Sequence, residues 1–192
     1  MLLKAMVVYV HILAMIGGFT AMIVTETIIW RRFKEFSFDD FRNIKFLSNV
    51  VVIALVLLWL TGIALIILGY LEDPNYITNQ KIWAKVSIVL VMTLNGIYIA
   101  RRIMPKIEGL QSSPTLVSTQ IESAMFRLSF SVSLGGWMLA AFLGVARFLN
   151  HSYPILSILN LYIMVIGFIF VASYIFGSAG FLRPQRVINN RV

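Results

Sequence analysis

Five stretches of this 192-residue chain stay apolar for about 20 positions each, the length an α-helix needs to cross the hydrocarbon core of a bilayer. They are Ala5–Ile29, Leu47–Gly69, Ile82–Ala100, Leu128–Leu149 and Ile155–Phe176. A helix satisfies its own backbone hydrogen bonds in lipid, whereas a strand needs a closed barrel, and none of the runs alternates apolar and polar residues as barrel strands do. The expected fold class is therefore all-α: one transmembrane domain over residues 1–192, built as an integral membrane bundle of five helices. The first run holds about 25 residues and has no small-residue cleavage site before Trp30-Arg31-Arg32, so it is read as a mature helix and not as a signal peptide.

Composition agrees with this reading: 59% of residues are hydrophobic and 12% charged, against about 25% charged in soluble domains. The absence of cysteine excludes disulfides, thiolate metal sites, iron–sulfur clusters and thioether-attached haem. A net charge of +8 would suggest nucleic acid in a soluble protein. In a membrane chain, basic loops set orientation instead, so no nucleic-acid partner is expected. With the N-terminus outside, Arg31, Arg32, Lys34, Arg42, Lys45, Arg101, Arg102, Lys106, Arg127, Arg183, Arg186 and Arg191 lie on the cytoplasmic side, 12 of the 16 Lys and Arg residues. Only Lys4, Lys81, Lys85 and Arg147 remain for the outer side, which predicts a multi-pass inner-membrane protein with N-terminus out and C-terminus in.

The connections are short. Asn150-His151-Ser152-Tyr153-Pro154 is so tight that helices four and five must be antiparallel neighbours. Residues Phe33–Lys45 mix phenylalanines with charges and read as a short amphipathic segment in the inner interface.

Ionisable side chains inside hydrocarbon are costly, so they usually face the bundle interior or a wet cavity and often mark function. Four need an explanation: His11, Glu26, Lys85 and Arg147. At 100° per residue, His11, Met15, Gly18, Met22 and Glu26 form one stripe on helix one. Lys85, Met92 and Gly96 form another on helix three, flanked by Asn95. At 1.5 Å rise per residue, His11 lies about 9 Å and Lys85 about 5 Å below the outer boundary, so the lysine can meet the imidazole. Arg147 and His151 reach the same level from helix four.

Each residue also has a structural explanation. Lys85 and Arg147 can snorkel to the interface, Glu26 can pair with Arg31, Arg101 or Arg102, and His11 can be held by one hydrogen bond. The methionines and the glycines Gly17, Gly18, Gly62, Gly96, Gly135, Gly136 and Gly144 are read as packing sites.

No HExxH, GxSxG, GxxxxGK[ST] or CxxC is present, which removes zinc or serine hydrolysis, P-loop nucleotide use and thiol redox chemistry. Two histidines are too few for two bis-histidine haems, but one haem b remains open. His11 would hold the iron on one face, with Lys85, His151 or an open position on the other. Met15, Asn95 and Arg147 complete the candidate cofactor site, and His11 and Lys85 are its candidate reactive pair.

Several short motifs carry a resemblance: Tyr9-Val10-His11-Ile12 followed by Gly17-Gly18, Leu60-Thr61-Gly62-Ile63-Ala64-Leu65, and Trp83-Ala84-Lys85 leading to Asn95 and Ala100-Arg101-Arg102-Ile103-Met104-Pro105. Over about residues 5–110 the chain resembles the membrane proteins grouped around HemJ-type protoporphyrinogen oxidase and the CopD copper-resistance domain, with their five-span relatives. In HemJ-type proteins a first-span histidine and a lysine opening the third span are tied to haem binding and activity; the resemblance carries these onto His11 and Lys85. It implies a haem- or porphyrin-binding redox protein, working by electron transfer or by porphyrinogen oxidation with a quinone as acceptor. HemJ-type proteins are shorter, usually with four spans. The CopD side implies copper handling, for which His11, Met15 and Met22 offer soft ligands.

Two other classes stay open. A small transporter for a metal ion, a proton or a small solute would use Glu26, Asn95 and Lys85 as a polar path between helices one and three, and would need to work as a homodimer. A structural or assembly subunit would dock a membrane-complex partner on the small-residue face Ser129, Gly136 and Gly144 of helix four.

Overall fold

The apolar runs become helices longer than the runs themselves. In the computed structural model, residues 2–32, 38–105, 124–150 and 152–181 are described. They form α1 (Leu2–Arg32), α2 (Phe38–Glu72), a 3-10 turn (Pro74–Thr78), α3 (Gln80–Tyr98), a π-helical turn (Ile99–Ile103), α4 (Ala124–Val145), a 3-10 turn (Arg147–Leu149) and α5 (Ile155–Phe181). No strand occurs among the described residues. All five α-helices are long and apolar enough to cross a membrane, so the chain is a multi-pass helical bundle.

Little of the apolar surface is buried inside the protein. Val145, Phe168, Met164 and Leu156 are more than two-thirds exposed, as lipid-facing side chains are. The exception is α4, where 44% of the spanning window is buried, against 11% for α5. α4 is the hub: α1, α3 and α5 all pack on it, while α1 and α2 form a long hairpin and α2 touches α3 only slightly. As expected, α4 and α5 are antiparallel neighbours. Close approach rests on Gly18, where a Cβ would collide with the Trp137 ring and come within 2.7 Å of Ala54 Cβ. Gly136 plays the same part beneath Met92. Gly17 and Gly144, by contrast, face open space and are not packing sites.

Two boundaries differ from expectation. Phe38–Lys45 is not a separate interfacial segment but the first two turns of α2, because Ile44 is fully buried against Ile29 and Phe126. Asp39 and Asp40 sit in that first turn, where the helix dipole favours negative charge, and Asp39 pairs with Arg42 at 3.0 Å. Residues 33–37 lie outside the described residues. At the other end of the sequence, α4 starts at Ala124, so Arg127 is not a loop residue. It is buried, donates to the Ser173 carbonyl of α5, and lies 4.6 Å from the Tyr174 ring centroid.

The two ends of the bundle are built differently. The turn end carries the α2–α3 and α4–α5 connections. There, Asp73 caps the 3-10 turn through Asn75 N–H and Asn79 caps α3 through Lys81 N–H. Lys4 pairs with Glu72 across α1 and α2, and Gln80 Oε1 accepts from Ile155 N–H at 2.7 Å. Lys81 is 5% exposed, and its ammonium donates to the Ala146 carbonyl at 2.6 Å and to Asn150 Oδ1 at 3.0 Å. A positive charge thus closes the C-terminus of α4, where the helix dipole is negative. The opposite end carries Arg42, Lys45, Arg101 and Arg102 and is called the basic end below.

Candidate functional site

The two polar stripes expected on α1 and α3 do face protein. On α1, Gly18 and Met22 are buried and His11, Met15 and Glu26 half-buried, while Ile12, Leu13 and Ile16 are exposed. On α3, Met92 is buried and Lys85, Asn95 and Gly96 half-buried. The stripes lead to two different sites.

The first lies toward the turn end. His11 Nδ1 is 2.7 Å from Thr61 Oγ1 on α2. Thr61 already donates its single hydroxyl hydrogen to the Leu57 carbonyl at 2.5 Å, the usual bond of a threonine to the carbonyl four residues back. Its oxygen can then only accept from the ring, so Nδ1 carries the proton. That leaves Nε2 with its lone pair. The hydrogen bond expected for His11 is therefore made, with threonine as the partner. A Cβ at Gly62 would lie 3.8 Å from His11 Cε1, so glycine leaves that edge of the ring thinly covered. Lys85 is close enough for its ammonium and the ring to interact electrostatically, but no hydrogen bond joins them, and Lys85 has none among the described residues. Met15 packs against the buried core. The Arg147 side chain and the whole of His151 lie outside the described residues.

Asn95 is elsewhere. Its Nδ2 donates to the Ser129 carbonyl and to Ser133 Oγ, each at 2.9 Å, and its Oδ1 accepts from Ser129 Oγ at 2.8 Å. This clamp joins α3 to α4 and occupies both amide hydrogens of Asn95 and one lone pair of its oxygen, so Asn95 faces α4 and not His11. Ser129 and Gly136 are buried within the bundle and form no external docking face.

The second site lies in the basic half. A cavity of about 90 Å³ sits between α1, α2, α3 and α4, with Glu26, Ser48, Ser129 and Ser133 among its polar wall and Met22, Leu55 and Trp137 among its apolar wall. Glu26 Oε2 is buried and has no hydrogen-bond partner among the described residues. The ion pairs expected with Arg101 or Arg102 do not form, because both arginines are exposed; the Arg31 side chain lies outside the described residues. Lys85 does not line this cavity, so Glu26, Asn95 and Lys85 do not share one path.

The roles of three residues in these sites escaped the sequence reading, which places Thr61 only in a motif and Ser129 only on a docking face. Thr61 left only a weak signal, a hydroxyl inside an apolar run. Ser129 and Ser133 could have been found by their four-residue spacing, which puts both on one face of α4. Among the described residues, no three histidine, cysteine, aspartate or glutamate side chains converge to hold a bare metal ion. No family model, curated protein or solved structure matches this chain.

Proposed function

We propose that the protein binds one haem b or porphyrin through His11 and works as an integral membrane redox protein. The observation that carries this is the Thr61 contact, which fixes the imidazole proton on Nδ1 and leaves Nε2 as a lone-pair donor. Histidines that ligate metals typically donate their other N–H to an acceptor, which sets the tautomer and the ring orientation. A single imidazole suffices for one axial position, so the donor set fits one haem without a three-ligand cluster. Lys85 is the second candidate ligand, since its amine has no other partner among the described residues.

When bound, haem would supply one-electron redox chemistry, set by its axial ligands and by the burial around it. The chain's own contribution is positional. Thr61 keeps the ring from rotating, Gly62 leaves its Cε1 edge open, and Met15 fixes the inward face of α1. The resemblance to HemJ-type and CopD-like proteins supports the same pair, His11 and Lys85, with either electron transfer or porphyrinogen oxidation toward a quinone as the reaction. The basic-residue bias supports an inner membrane location with the turn end outside. A carrier along Glu26, Asn95 and Lys85 has less support, because Asn95 is engaged in its clamp to α4 and Lys85 does not line the cavity.

Purified from haem-replete cells, the protein should show a Soret band that His11→Ala abolishes and that Lys85→Met shifts or weakens. A colourless preparation that takes up no added haem would overturn the reading.

A further inference from the structure

The cavity in the basic half is independent of the haem proposal. α2 and α3 are joined at the turn end by their short connection and near mid-bundle by a bond from Trp59 Nε1 to Thr93 Oγ1 at 3.0 Å. The cavity lies on the basic side of that bond. Of the cavity wall, Val52 on α2 and Ala100 on α3 are exposed, so the mouth opens sideways between these two helices toward lipid. The α3 side of the mouth is a π-helical turn, with Met104 N–H bonded to the Ile99 carbonyl. Such turns widen a helix locally and frequently occur at functional sites.

At the back of this cleft sits Glu26 Oε2, which has no hydrogen-bond partner among the described residues. A buried polar atom left unsatisfied costs about 1–3 kcal/mol, so it marks either strain or a missing ligand. A carboxylate oxygen only accepts, and a protonated carboxyl adds one O–H donor, so a hydroxyl or amine head, which both donates and accepts, satisfies the group in either state. The other walls are apolar apart from the hydroxyls of Thr25, Ser48, Ser129 and Ser133. The volume is smaller than the roughly 150 Å³ that encloses a free benzene, so a ligand can place only its head inside and must leave the rest outside.

We propose that this cleft takes the head of a membrane-dissolved amphiphile bearing a hydroxyl or amine donor, with the donor on Glu26 Oε2 and the tail in lipid between α2 and α3. Glu26 fixes the donor, while Gly96 keeps the cleft empty: a Cβ there would meet only Leu55 Cδ1, at 3.8 Å. A larger side chain at Gly96 therefore fills the site without disturbing backbone.

The test is saturable binding of three alkyl probes of nearly equal size to the protein in lipid nanodiscs: 1-decanol, decylamine and 1-fluorodecane, which lacks the donor. At least one of the first two should bind in a saturable, one-to-one manner and at least tenfold more tightly than the fluoroalkane; the tighter of the two identifies the head. Glu26→Leu and Gly96→Leu should each weaken that binding at least tenfold, with α-helical circular dichroism unchanged. Equal binding of all three probes, no saturable component for any, or unchanged binding in both variants would overturn the proposal. None of these readouts depends on haem, so the two proposals fail separately.

Discussion

The turn end and the basic half of this bundle handle buried polarity in opposite ways. At the turn end a fully buried ammonium, Lys81, meets two oxygens and closes a helix. In the basic half a buried carboxyl oxygen, on Glu26, meets none among the described residues. In lipid there is little hydrophobic drive between helices, so packing and interhelical hydrogen bonds hold the bundle together. The difference teaches where this molecule is braced and where it is left open: α2 and α3 are joined by a short connection at one end, and the cavity lies between them toward the other.

The comparison predicts effects of opposite sign. Lys81→Met should be the most damaging, lowering stability by about 2 kcal/mol, because two hydrogen bonds from a charged donor are lost and the Ala146 carbonyl keeps only the Leu149 N–H at 3.2 Å. Asn95→Leu removes the three bonds between α3 and α4 and should lower it by about 1.8 kcal/mol, since interhelical bonds in membranes average about 0.6 kcal/mol each. Glu26→Leu should raise stability by about 1 kcal/mol, because it deletes an unsatisfied group. Reversible unfolding in mixed detergent micelles measures all three. A Glu26→Leu protein less stable than the parent would mean that the carboxyl is braced after all, and the contrast would disappear.

Much of the fold was legible in the sequence, because a membrane span is a long one-dimensional signal. The five helices, the α4–α5 hairpin and the inward stripes on α1 and α3 all follow from run length and the 3.6-residue period. What was hidden depended on backbone acceptors and on empty volume. Lys81 looked like a loop lysine because its main partner is the carbonyl of Ala146, which any residue would offer. Arg127 was placed outside α4 for the same reason, its acceptor being the Ser173 carbonyl. The extent of α2 was missed because Phe38–Lys45 is charged, and only the burial of Ile44 draws it into the bundle. At the candidate site, the inward turn of His11 was readable from its stripe, whereas Thr61 lies fifty residues away on another helix. The cavity could not be read at all, since it arises where four helices fail to fill the space between them.

The proposed haem chemistry depends on which nitrogen of His11 carries the proton, and selective nitrogen-15 labelling of the two histidines reads this directly by NMR in nanodiscs, at a pH where the rings are neutral. One histidine signal should show a protonated Nδ1 and a bare Nε2, and Thr61→Val should abolish that preference. A His11 ring with its proton on Nε2, unchanged in Thr61→Val, would contradict the account.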